Sequence, residues 1–273
     1  MALFNYNGIN IFYEIKGKAD SNKVVAFFNG VMASTSSWYK YVDLFERLGY
    51  KIVLHDFKGQ LKSDKTEGPY TFDEHVQEAK ALFEYLNISS VQLVGTSYGG
   101  EVAMKFAITQ PEMIESITII DSVSELDEII LKFVNGWIEL CDFQDGEKFF
   151  RLILPTIYGP TYLAQNKEAL EKRALAMKAI DYSYFVGQKY LYQTFINDVV
   201  MTHQLHKIKC PALIICGEDD ILKPVKFSKI IANNIKQSEL VIVPDCGHVA
   251  IYEKFEELLT LITGFIIKNT KNK

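Results

Sequence analysis

Val91-Gln92-Leu93-Val94-Gly95-Thr96-Ser97-Tyr98-Gly99-Gly100 joins an apolar run to a Gly-x-Ser-x-Gly pentapeptide and then to a helical pattern. A serine hydroxyl becomes a nucleophile only when a base takes its proton and the backbone thrusts it toward a carbonyl. A sharp strand-to-helix turn does the thrusting. It also crowds the backbone, so that only small residues fit two places before and two places after the serine. Gly95 and Gly99 meet that demand. At average composition the bare pentapeptide arises by chance in roughly one chain in ten of this length, so its context decides. Val91 to Val94 is a β-prone run, and Val102, Met104, Phe106, Ala107 and Ile108 carry a helix until Pro111 stops it. Strand, elbow and helix stand in the required order, and Ser97 is the candidate nucleophile.

Upstream of the elbow, Asn7-Gly8 lies between Leu3 to Tyr6 and Ile9 to Tyr13 and predicts a hairpin. Val24 to Phe28 is a continuous apolar run that fits a strand buried on both faces, and it ends at Asn29-Gly30-Val31. Ser34 to Ser37 can cap a helix through Trp38, Tyr41, Leu44 and Phe45 that stops near Gly49. Lys51 to Asp56 is a further strand. After it, Thr71 with Glu74 forms a capping box for a helix whose stripe is Phe72, Val76, Ala79, Leu82, Phe83 and Leu86. Downstream of the elbow helix, Ile117 to Asp121 is the next strand.

From Ser122 to His203 the alternation stops. Helices are predicted over Ile129 to Leu140, Gly146 to Leu154, Asn166 to Ala179 and Tyr182 to Thr194. Strands and helices then resume with Ala212 to Cys216, Val225 to Ile235, Leu240 to Val243 and Phe255 to Ile267. Alternation of this kind implies a doubly wound, mostly parallel sheet of eight strands covered on both faces. The expected organisation is an α/β core over 1–121 and 204–273 with a helical cap, or lid, inserted at 122–203. The slight aromatic enrichment of that insertion is ordinary core packing. Its place between two strands is what makes it a lid candidate.

A chain of 273 residues with a net charge of −5 presents no basic face for a polyanion, so nucleic acid is not an expected partner. No apolar run reaches membrane-spanning length, and no basic start precedes a long apolar core. The chain is read as cytoplasmic, with Lys268, Lys271 and Lys273 in a solvated tail. Cys141, Cys210, Cys216 and Cys246 match neither a disulfide framework nor a zinc pattern and are expected to be buried thiols. His55 is expected to be packed and hydrogen-bonded, and His75 to lie on a helix surface. His203 and His206 lack a third metal ligand.

An activated serine needs a histidine, and the histidine a carboxylate that holds its tautomer. In a doubly wound sheet such groups sit on loops at the carboxyl ends of strands. Asp219 and Asp220 follow the strand ending at Gly217, and His248 lies in Pro244-Asp245-Cys246-Gly247-His248 after the last strand. Asp121, at the end of another strand, is an outside candidate for the acid.

The chain resembles the α/β-hydrolases of the esterase and lactonase type, the group of enol-lactone hydrolases and small carboxylesterases. The resemblance spans nearly everything outside the insertion. It rests on Asn29-Gly30, on Asp56-Phe57-Lys58-Gly59 with Ser63-Asp64, on Gly95 to Gly99, on Gly217-Glu218-Asp219-Asp220 within Pro211 to Pro224, and on Gly247-His248. It implies a triad of Ser97, Asp220 and His248, leaving Asp219 as a turn carboxylate. It also implies an oxyanion hole made by the N–H groups of Val31 and Tyr98. Two positions depart from the family pattern: Asn29 stands where histidine is usual, with altered tuning as the consequence, and Leu61 stands where glycine is common. The implied activity is serine hydrolysis of a small carboxylic ester or lactone through an acyl-enzyme, by a monomer or homodimer, with no cofactor and no metal. Thioesters, carbon–carbon bonds, acyl transfer and a ligand-receptor role with a vestigial site stay open, because one triad serves them all.

Overall fold

Asn7 and Gly8, both at positive φ, turn β1 (Ala2–Tyr6) into β2 (Ile9–Gly17), as a two-residue hairpin requires. The computed structural model of the protein describes residues 2–270. Strand β2 pairs antiparallel with β4 (Lys51–His55), and from β4 onward every neighbour is parallel: β3 (Val24–Phe28), β5 (Val91–Thr96), β6 (Ile114–Ile120), β7 (Ala212–Gly217) and β8 (Ser238–Val243). The order is β1-β2-β4-β3-β5-β6-β7-β8, an eight-stranded and mostly parallel sheet. Strand β6 starts earlier than its apolar run because two polar residues are hidden by their neighbours. Ser116 donates to Gln92 at 2.6 Å, and Ser90 donates to Glu115 at 2.7 Å.

Period-two alternation divides each strand between two apolar layers. On β3, Val25 and Phe27 pack toward α1 (Tyr39–Arg47) and α11 (Phe255–Asn269). Ala26 and Phe28 pack toward α2 (Phe72–Tyr85), α3 (Tyr98–Thr109) and α9 (Val225–Asn234). The Thr71–Glu74 capping box starts α2 where the sequence places it. After β3 the chain moves to one side of the sheet to form β4, then crosses back over β3 to form β5. The carboxyl ends of β3 and β5 therefore flank a topological switch point, where loops diverge and leave a crevice. Asn29-Gly30-Val31 and Ser97 stand on its two sides.

Between β6 and β7 the chain is helical: α4 (Glu128–Asp142), α5 (Gly146–Ile157), α6 (Pro160–Gln165), α7 (Lys167–Ala176) and α8 (Tyr182–Asp198). Two short helices were not expected from periodicity, α6 and α10 (Ala250–Glu253). The inserted region is tied to the sheet side by hydrogen bonds. Tyr70 N donates to Thr194 Oγ1 at 2.8 Å, Gln188 Nε2 to the Val31 carbonyl at 3.1 Å, and His248 N to the Ile157 carbonyl at 3.0 Å. No helix among the described residues is long and apolar enough to cross a membrane. Lys268 is exposed and pairs with Glu239, whereas Lys271 and Lys273 lie outside the described residues.

Candidate active site

Ser97 sits at φ +52° between β5 and α3, a conformation that side-chain-bearing residues adopt only when their surroundings enforce it. The enforcement is visible in the backbone. Ser97 N donates to the Ile120 carbonyl at 2.8 Å, and Ser122 Oγ donates to the Ser97 carbonyl at 2.9 Å. A Cβ on Gly95 would lie 2.3 Å from the Gly99 oxygen, and one on Gly99 would lie 2.2 Å from the Phe28 oxygen. Both glycines are therefore steric necessities of the elbow.

The loops after β7 and β8 bring two distant residues to this serine. His248 Nε2 lies 3.0 Å from Ser97 Oγ, and His248 Nδ1 lies 2.8 Å from Asp220 Oδ2. Asp220 is buried and fixed by its own turn, its Oδ1 accepting from Leu222 N at 2.9 Å and Lys223 N at 2.8 Å. Asp219 is half-buried, and no side-chain bond joins it to His248. The outside candidate, Asp121, is fully buried and does not reach the imidazole. Its two oxygens accept from Gly217 N at 3.0 Å and Ala250 N at 3.1 Å, bracing the turns that carry Asp220 and His248. Burial, and then the charge of Asp220, push its carboxyl well above the usual carboxylate range.

Asn29 occupies the centre of the loop opposite the elbow. It is buried, donates to the His55 carbonyl at 2.9 Å, to Gln60 Oε1 at 3.0 Å and to Asp56 Oδ1 at 3.1 Å, and accepts from Trp38 Nε1 at 2.9 Å. Gln60 in turn donates to the Gly30 carbonyl at 2.8 Å. The amide thus fixes the shape of this loop, and Leu61 is accommodated as an exposed residue. Val31 and Tyr98 face the same cavity, and neither main-chain N–H has a protein acceptor among the described residues.

That cavity is about 90 Å³, on a measure in which one water takes roughly 10–15 Å³, so it holds a small group. Its walls include Met32, Val134, Trp137, Phe150, Tyr192 and Phe195, and Ser97 and His248 line it too. Among the described residues two cations also line it, Lys223 and Arg173, and no carboxylate does. Lys223 is a functional candidate that the sequence reading missed. Its Nζ lies 3.1 Å from Ser97 Oγ and is paired with the fully buried Glu101 of α3.

Two histidine expectations are corrected. His75 is buried, not on a surface: the rings of Phe57, Tyr70 and Tyr98 cover it, and its Nδ1 lies 3.3 Å from Glu78. The flank of α2 that carries His75 and Glu78 is covered by the loop that carries Lys58, whose ammonium lies 2.8 Å from Glu78, while Asp73, Glu74 and Glu84 stay exposed. His55 is buried edge-on to Phe28 and Phe57, but neither ring nitrogen has a hydrogen-bond partner among the described residues. His203 and His206 are exposed. Among the described residues, metal-ligand atoms converge at Asp121, Cys216 and Asp220. The carboxylate oxygens there are already taken by His248 and by backbone N–H groups. Cys141, Cys216 and Cys246 are buried thiols, as expected, while Cys210 is half-buried.

Residues 23–255 match the family described as alpha/beta hydrolase fold. An alpha/beta hydrolase enzyme from a Medee basin deep-sea metagenome library superimposes with a TM-score of 0.93 at 30% identity, over 100% of this chain and 99% of that one. A proline iminopeptidase of Lactobacillus acidophilus is 24% identical over 286 residues, 97% of each chain. The enol-lactonase of Burkholderia xenovorans shares the fold, with a TM-score of 0.85 at 18% identity, over 97% of this chain and 100% of that one.

Proposed function

The chain belongs to the alpha/beta hydrolase fold family, and on that premise we propose that it is a serine hydrolase of small carboxylic esters or lactones. The observation that carries the reading is one imidazole bonded on both sides, to Ser97 Oγ at 3.0 Å and to Asp220 Oδ2 at 2.8 Å. Ser97 attacks the substrate carbonyl while His248 Nε2 takes the Oγ proton. Asp220 holds the imidazole with Nδ1–H toward the carboxylate and stabilises the imidazolium as it forms. The N–H groups of Val31 and Tyr98 receive the oxyanion, where preorganised donors are worth about a hundredfold each in rate. His248 then protonates the leaving alcohol, and water repeats the sequence to release the acid. Residues 122–203 act in this reading as the lid, with Gln188 holding the Val31 carbonyl so that its N–H stays aimed.

The cavity supports an ester in preference to the substrate of a relative named proline iminopeptidase. A protonated amine entering it would meet Lys223 and Arg173 with no lining carboxylate to receive it. The test is hydrolysis of p-nitrophenyl acetate, butyrate and octanoate by wild type and Ser97→Ala. Turnover that needs Ser97 and favours the short acyl chains is expected. Equal nitrophenol release by both proteins would end the esterase reading.

A further inference from the structure

Beyond the triad, Ser97 Oγ has a second charged neighbour. We infer that Lys223 is a further catalytic residue, which donates a hydrogen bond to Ser97 Oγ and stabilises the negative charge that oxygen carries during acyl transfer. The inference rests on the serine-hydrolase reading above. Three features of the ammonium carry it. Its Nζ lies 3.1 Å from Oγ, on the same oxygen that His248 Nε2 approaches at 3.0 Å. It is buried and paired with Glu101, a carboxylate fully buried in the helix that begins at the elbow. It also lies 4.7 Å from the centroid of the Phe195 ring, contributed by the inserted helices.

An ammonium has three N–H donors, and here they are directed to a carboxylate, to the nucleophile and toward an aromatic face. None is left over for a carboxylate on the substrate, which favours action on Oγ over a role as a substrate anchor. The backbone points the same way. Lys223 N donates to Asp220 Oδ1 at 2.8 Å, so one residue fixes the triad acid through its amide and meets the nucleophile through its side chain.

A buried ion pair is seldom kept for stability, since apolar side chains of similar volume usually serve as well or better. Its value here comes from the reaction. In the resting enzyme Oγ is a neutral hydroxyl, so the bond from Lys223 is charged on the donor side only. As the Oγ proton passes to His248 Nε2, the oxygen lone pair forms the bond to the carbonyl carbon, and the carbonyl π pair moves to its own oxygen. During that movement Oγ carries partial negative charge, and a charge-assisted bond strengthens as the charge grows. In deacylation the C–Oγ bond breaks with its electron pair left on Oγ, which then takes a proton from His248. Lys223 keeps its protons throughout, so it adds no proton to the balance. Glu101 holds the ammonium in place beside Oγ through their ion pair.

The test uses the full chain and a p-nitrophenyl phosphonate that phosphonylates active-site serines. The double variants Glu101→Met with Lys223→Met and Glu101→Gln with Lys223→Gln remove both charges together, so neither leaves an unpaired buried ion. Both are checked for folding by circular dichroism, and the inactivation rate is read from whichever folds. We expect inactivation about 10²-fold slower than wild type, the loss typical of one preorganised donor, with kcat for an ester falling while KM holds. Lys223→Arg should recover part of the rate. Inactivation within threefold of wild type in a folded double variant, or failure of both double variants to fold, assigns the pair a structural role and overturns the inference. If wild type itself is not phosphonylated on Ser97, the serine-hydrolase reading fails first, and that result is distinct from the others.

Discussion

His55→Phe tests the burial of a histidine with neither ring nitrogen bonded among the described residues. The ring is enclosed at 2% exposure between Phe28 and Phe57, with both nitrogens unpartnered. Burial, reinforced by the neighbouring His75, lowers its pKa from 6.5 to about 3. The unfolded chain therefore binds a proton near pH 6.5 that the folded chain refuses until about pH 3, and stability is lost as the pH falls between those values. At pH 5 the gap to the unfolded value is about 1.5 units, each worth roughly 1.36 kcal/mol, so His55 costs about 2 kcal/mol there relative to pH 7. That figure depends only on the folded ring titrating well below pH 5. Phenylalanine keeps a planar aromatic ring and carries no proton, and any cost of its larger volume is the same at both pH values. Urea unfolding of both proteins at pH 7 and pH 5, followed by Trp38 and Trp137 fluorescence, should show about 2 kcal/mol less acid destabilisation in the variant. Equal losses in the two proteins would refute the reasoning.

Asn29→Ala should cost about 2–4 kcal/mol, because Trp38 Nε1 loses its acceptor in a buried site and Gln60 loses one of its donors. A loss below about 1 kcal/mol in urea unfolding would show that the amide is dispensable. Asp220→Asn should lower kcat by about 10⁴, because the amide no longer holds the imidazole in the required tautomer. Asp121→Asn should keep kcat within about tenfold while destabilising the fold by about 1–3 kcal/mol, since an amide turned toward Gly217 N or Ala250 N leaves that backbone donor without an acceptor. The reverse ranking in an ester assay would move the acid role from Asp220 to Asp121.

What could be read from the chain followed how local its cause was. The Asn7-Gly8 hairpin, the Thr71–Glu74 capping box and the elbow glycines are each set by contacts within a few residues, and each forms where the sequence places it. Helix α6 was missed although Gly159-Pro160 is a start signal, because the helix is only six residues long and no period can develop. His75 was misplaced for a different reason. Periodicity along α2 separates an apolar stripe from a polar side, but it cannot reveal that a loop carrying Lys58 covers the part of the polar side that holds His75 and Glu78. Asp220 and Asp219 are neighbours that only the family pattern separates, and it is Asp220 that the turn aims at His248. The pairing of Lys223 with Glu101 spans 122 residues, so no local pattern announces it. Its one trace was an acidic residue set among the glycines and apolar residues of the elbow helix.

The central claim is that Ser97 carries the acyl group, and the most direct measurement is to trap it. Wild type mixed with p-nitrophenyl acetate and quenched in acid within milliseconds, then digested and mapped by mass spectrometry, should yield one acetyl group on the peptide containing Ser97 and none in Ser97→Ala. Acetyl on another residue, or steady ester turnover with Ser97 never acetylated, would contradict the account.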